Sequence, residues 1–173
     1  MAFSNQPENL NQLSPLGFRF VLNRTPTVTY FCQQAPIPGI SIPEVPQMTP
    51  TLSIPLPGTP MTFEPFNIRF KVDEDMVNWM EIFNWMNGLA FPGDTNAYKS
   101  LVGGVDGPIR NGLSDGRLIV STNQHNPSIS VSFYDMWPTN LSQIDFDTTH
   151  HDVEYMEAEV TFRYRNYTVA SVA

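Results

Sequence analysis

Eight of the chain's 16 prolines fall between Pro36 and Pro60: Pro36, Pro38, Pro43, Pro46, Pro50, Pro55, Pro57 and Pro60. Proline has no amide hydrogen and a fixed φ, so this stretch cannot be a helix or a central strand throughout. We read residues 35–61 as a long ordered loop, pre-stiffened at low entropic cost, with Thr51-Leu52-Ser53-Ile54 as a short edge strand. A loop of that length inside a compact domain usually serves a purpose. Contact with another subunit is the purpose expected here.

The rest of the chain must supply the core. Charged residues make up only 15%, while 12 Phe, 6 Tyr and 3 Trp carry a large apolar surface. That balance excludes a disordered polyelectrolyte and points to a β-rich fold with ordered loops. At 173 residues the chain suits one domain. With 17 acidic and 9 basic residues the net charge is −8. Such a surface does not hold nucleic acid by phosphate neutralisation, but it suits a wall past which a polyanion slides; simple solubility also accounts for it.

Cys32 is the single cysteine, so no intrachain disulfide can form, and its apolar setting in Val28-Thr29-Tyr30-Phe31-Cys32 reads as a core thiol. The opening residues show no basic or apolar signal region, and no run approaches the ~20 apolar residues of a membrane span. A cytosolic place of synthesis and assembly is expected.

Periodicity sketches the elements. Residues 1–14 are polar and read as a flexible arm. Phe18, Phe20 and Leu22 alternate with Arg19 and Asn23 as in a strand, and Val28 to Gln33 reads as a second strand paired to it in a hairpin. Thr62 to Val72 is a strong strand, with Phe66, Ile68, Phe70 and Val72 on one face. The period then becomes helical. Met76, Trp79, Met80, Phe83 and Met86 form the expected core stripe, Asp73 the N-cap and Gly88 the residue past the C-terminus. Residues 90–116 read as a second long loop, rich in glycine. Strands follow at 117–121, at 128–134, and from about Val153 to Tyr167, where Met156, Ala158, Val160, Phe162 and Tyr164 alternate with charged residues. The fold class is mostly β: an antiparallel β-sandwich or barrel with one flanking α-helix and long ordered loops.

Chemistry is hard to find. His125, His150 and His151 have no partners at zinc-ligand spacing, and His150-His151 reads as a polar turn. The pairs Asp73/Asp75 and Asp145/Asp147 lack the further oxygen ligands of a calcium loop. Gly103-Gly104 is not followed by Gly-Lys-Ser/Thr, and no Gly-x-Ser-x-Gly elbow occurs. No catalytic residue, metal or cofactor is expected. A monomeric carbohydrate-binding β-sandwich is an alternative that the aromatics and loops allow.

Three segments, in order, resemble the tail tube proteins of contractile-tailed bacteriophages. They are Phe31-Cys32-Gln33-Gln34-Ala35-Pro36-Ile37-Pro38-Gly39-Ile40, the strand from Phe63 to Val72 leading into a Trp-bearing helix, and Met136-Trp137-Pro138-Thr139-Asn140-Leu141 followed by Ile144-Asp145-Phe146-Asp147 and a long alternating strand. The resemblance spans roughly residues 17–167. It implies one domain, residues 15–173, that forms homo-hexameric rings stacked into a tube within the virion tail. It also implies sheath and baseplate or terminator proteins as partners, and a lumen through which DNA passes without specific binding. Related proteins join the tube to the baseplate or terminate it, and the departures at 41–61 and 92–116 leave that choice open. On this basis Pro36, Pro38, Gly39, Ile40, Pro46, Leu52, Ile54 and Pro57 are candidate subunit contacts. Glu157 and Glu159 are candidate lumen residues.

Overall fold

The computed structural model describes residues 10–90, 112–146 and 155–172. Among these residues the elements run β1 (Phe18–Leu22), α1 (Pro26–Phe31), β2 (Cys32–Gln34), β3 (Ile40–Ser41), β4 (Glu44–Met48), β5 (Ser53–Pro57), β6 (Thr62–Phe63) and β7 (Phe66–Lys71). Then come α2 (Val77–Ala90), β8 (Ser114–Ser121), β9 (Pro127–Leu141), β10 (Glu157–Arg163) and β11 (Asn166–Ser171).

The 15-residue strand β9 organises the sheet. Its first part pairs with β8 on one side and β11 on the other; its last part pairs with β10. One antiparallel layer is therefore β1-β8-β9-β11. A second, β9-β10-β7-β2, grows from the far end of the same strand. The bend between them lies at Asp135, whose φ of 53° is left-handed and which coincides with a register slip between Ser114↔Met136 and Gly116↔Phe133. Bulges of this kind re-aim a strand and let it switch layers.

The two layers face each other. Phe66 of β7 stacks on Phe133 of β9 at 4.6 Å and tilts against Phe20 of β1 at 5.2 Å. Leu22, Ile68, Phe70, Leu118, Val131, Met136, Val160 and Phe162 complete a core to which β1, β7, β8, β9 and β10 give alternate residues. Helix α2 packs on this core through Trp85, whose ring lies 6.0 Å from that of Phe162. The result is the mostly β, nearly closed antiparallel barrel with few helices that alternation predicts.

Four local expectations change. Residues 26–31 are helical, and β1 pairs with β8 while β2 pairs with β7, so the expected 17–33 hairpin is absent. Pro26 begins a single helical turn with its preset φ, Val28 is fully buried, and Thr29 Oγ1 accepts the outward amide of Leu22 at 3.0 Å. Tertiary packing here overrides the β preference of Val-Thr-Tyr-Phe. The strands expected at 62–72 and 153–167 each divide, at Glu64-Pro65 and at Tyr164-Arg165.

The core face of α2 is the third correction. Asn78, Ile82, Trp85 and Gly88 are buried, whereas Met80 and Phe83 of the expected stripe are 43% and 40% exposed. Apolar residues surround this helix, so periodicity alone does not choose a face. Two tertiary hydrogen bonds do: Asn78 Nδ2 donates to the Lys71 carbonyl at 2.7 Å, and Trp85 Nε1 to the Gly112 carbonyl at 2.8 Å. Gly88 accordingly lies inside the helix, and Asp73 accepts the Asn78 amide at 3.3 Å from the turn before it.

The fourth is the proline-rich segment, which is a β-hairpin, β4–β5, rather than a loop with one short strand at 51–54. Of the expected 90–116 loop, residues 91–111 lie outside the described residues, and β8 already begins at Ser114. The expected arm falls outside them up to residue 9, as does the His150-His151 turn.

Candidate functional site

Chemistry on this chain lies at its sheet edges. In the layer β1-β8-β9-β11 the two outermost strands have no strand partner on their outer sides among the described residues. The hydrogen-bond phase tells which groups are left over, because antiparallel ladders alternate bonded and non-bonded pairs. Ser121 donates to the Gly17 carbonyl at 2.8 Å, so residues 17, 19 and 21 face β8, and the amides of Phe18 and Phe20 point outward. Val172 donates to the Ser128 carbonyl at 2.8 Å, which by the same logic turns the amides of Tyr167, Val169 and Ser171 outward on β11. Neither strand contains proline. Beside β1 runs a groove of about 520 Å³ lined by Phe18, Phe20, Pro26, Thr29, Tyr30 and Cys32, in which Tyr30 is 81% exposed.

The hairpin is built on the opposite plan. The Gly58 amide donates to the Pro43 carbonyl at 2.7 Å and the Thr49 amide to the Leu52 carbonyl at 2.9 Å. This phase makes 45↔56 and 47↔54 the bonded pairs, leaving Glu44↔Pro57, Pro46↔Pro55 and Met48↔Ser53 non-bonded. All three prolines thus occupy positions whose nitrogen points away from the partner strand. They cost the hairpin no hydrogen bond, and they strip donors from its outer edges, a known guard against edge pairing. Every side chain of β4 and β5 is exposed, with Val45, Ile54 and Leu56 sharing one apolar face.

No family model matches the chain. In sequence it is 28% identical over 156 residues to the tail tube terminator protein of Enterobacteria phage T4, a match covering 85% of this chain and 81% of that one. Among solved structures it resembles a chain of the sheath-tube complex of the PVC extracellular contractile injection system (TM-score 0.61, 16% identity, 93% of each chain). It also resembles the tube-terminating cap of the anti-feeding prophage (TM-score 0.59, 15% identity, 99% of this chain and all of the other). In fold the chain resembles the tail tube proteins. At these identities the structural likenesses carry the fold alone, and the sequence match is to a protein that ends a tail tube.

The candidate contacts expected from the sequence lie as follows. Pro36, Gly39, Ile40, Pro46, Leu52, Ile54 and Pro57 are exposed, and the last four lie on or at the tip of the β4–β5 hairpin. Pro38 is buried, and its carbonyl accepts the Tyr167 hydroxyl at 3.1 Å, which ties the hairpin's base to β11. Glu157 and Glu159 project from the outer face of β10, in the second layer, where Glu157 lies 3.5 Å from Arg69 across the strand pair. Burial pushes the Cys32 thiol up to about 11, which keeps it protonated and unreactive near neutrality. Among the described residues no group of three or more His, Cys, Asp or Glu is placed to hold a metal ion, and no helix is long and apolar enough to cross a membrane. Sequence reading missed the open edges of β1 and β11, because which strand ends a sheet depends on pairings between distant segments.

Proposed function

We propose that this chain is the subunit of a hexameric ring that terminates a phage tail tube, with DNA passing through its lumen. The observation that carries the reading is the pair of open edges on one four-stranded layer. Neighbours in that layer alternate in direction, so β1 and β11 run opposite ways. The β1 of a second copy laid beside β11 continues the antiparallel alternation, and the same contact repeated by rotation closes a ring. Edges left unguarded in a monomer are an aggregation hazard, and closure removes them.

The terminating position is favoured over the body of the tube by the T4 relative's role. A subunit of the tube body is the second reading, favoured by the likeness to the PVC sheath-tube complex. In both, the exposed hairpin contacts the adjoining ring, and sheath or baseplate proteins are the further partners in the virion. The role is structural and involves no reaction.

Negative-stain microscopy with mass measurement tests this. The purified chain is expected as closed rings that do not elongate. Long tubes would replace the terminator reading with the tube-body one. A monomer at high concentration would end both.

A further inference from the structure

The solvent face of the β1-β8-β9-β11 layer is not acidic, although the chain's net charge is −8. Residues pointing away from the core there include Arg19, Arg117, Ser130, Ser132, Tyr134 and Thr168. Arg19 lies opposite Ile119, and Arg117 opposite Val21, so the two guanidinium groups are diagonal neighbours across β1 and β8. Both are exposed, and among the described residues neither has a hydrogen bond or ion pair. Four of the other described cations are engaged: Arg69 with Glu157, Arg165 with Asp135, Lys71 over the Tyr155 ring, and Arg24 over Trp85. Two carboxylates lie at the end of this face: Asp115, whose Oδ1 accepts the Asp135 amide at 3.0 Å, and Asp135, which pairs with Arg165.

Two like charges on diagonal positions, with no ion pair of their own, repel one another unless something anionic meets them. Arginine is suited to that role, because its fork matches phosphate oxygens. We infer that this face contacts the phosphodiester backbone of duplex DNA through Arg19 and Arg117. The inference rests on the ring reading above and takes the solvent face of this open-edged layer as the inner wall, since its other face is covered by the second layer. It replaces the acidic lumen expected from Glu157 and Glu159, which the fold sets on the other layer. Backbone contacts of this kind are sequence-independent and weaken steeply with salt, so they guide a moving duplex without arresting it. Serine and threonine hydroxyls around the arginines add neutral donors that also suit phosphate.

The test is a fluorescence-anisotropy titration of a short labelled DNA duplex at several salt concentrations, with light scattering on the same samples. The proteins are the wild-type chain, Arg19→Ser, Arg117→Ser and the double variant, with Arg163→Ser as control. Arg163 is equally exposed and unpaired but lies on β10. Each inner-face variant is expected to lose affinity about threefold or more, and the double variant to show a flatter salt dependence, by about one unit of slope per lost contact. Arg163→Ser is expected to match wild type. Equal binding by wild type and double variant, or an equal loss in Arg163→Ser, overturns the inference. If scattering shows monomers, the ring reading fails, and the comparison of variants still decides whether the arginine face binds DNA.

Discussion

Arg165 Nη1 lies 2.9 Å from Asp135 Oδ2, and Asp135 is the left-handed residue at which β9 leaves one layer for the other. The same corner is fastened by the Asp135 amide on Asp115 and by the Arg165 amide on the Tyr134 carbonyl, at 3.0 Å each. Strain and charge can be separated by substitution. Asp135→Asn keeps a residue tolerant of positive φ and loses only a solvent-facing ion pair, so urea denaturation should register less than about 1 kcal/mol. Asp135→Val places a branched Cβ in the left-handed region and should cost about 1–2 kcal/mol more. Equal effects would mean that the backbone conformation at the corner is unstrained.

Phe162 is fully buried between Trp85 and the rest of the core. Phe162→Ala should destabilise by about 3–5 kcal/mol, read as a lower denaturation midpoint at unchanged slope. Trp137→Ala, at a partly buried position, should cost folding stability too, and less. A near-neutral Phe162→Ala would contradict the packing of α2 on the sheet.

Pro46 and Pro55 face each other across the hairpin. Restoring an outward amide with Pro55→Val should change stability by about 1 kcal/mol at most. It should also raise the tendency to aggregate, measured as light scattering over time, because β5 regains an edge donor. An unchanged scattering trace would show that the prolines do not guard this edge.

The hairpin contributes no buried side chain. Replacing residues 44–57 by a short turn between Pro43 and Gly58 should therefore leave the thermal midpoint near that of the intact chain while abolishing attachment to a tube. A large fall in the midpoint would assign the hairpin to the fold rather than to assembly.

Tyr164 is buried in the core, and its hydroxyl donates to the Glu64 carbonyl at 2.8 Å. Burial, with the neighbouring Tyr167 and Glu64 charges, pushes it up to about 12 from the usual 10. The unfolded chain therefore loses this proton first. The stabilisation is complete below about pH 10 and fades as pH rises towards 12. Tyr164→Phe should show a shallower loss of stability between pH 9 and 11, followed by denaturation at fixed pH. Parallel curves for the two proteins would exclude this phenol as the source.

Alternation determined a good deal. Phe66-Ile68-Phe70 and Ala158-Val160-Phe162 face the core as their period of two requires, and the prolines barred 35–61 from the sheet's centre. Those are local rules: side-chain direction in a strand and the missing amide of proline act within a few residues. Tertiary structure decided what depends on distant partners. It made 26–31 a helix because Val28 found the core, and it turned α2 by the reach of Asn78 and Trp85 to carbonyls elsewhere. It also left β1 and β11 as the outer strands, which set Arg19 and Arg117 on one open face and Glu157 and Glu159 on another. No periodicity encodes which strand ends a sheet, because that follows from the total set of pairings the folded chain makes.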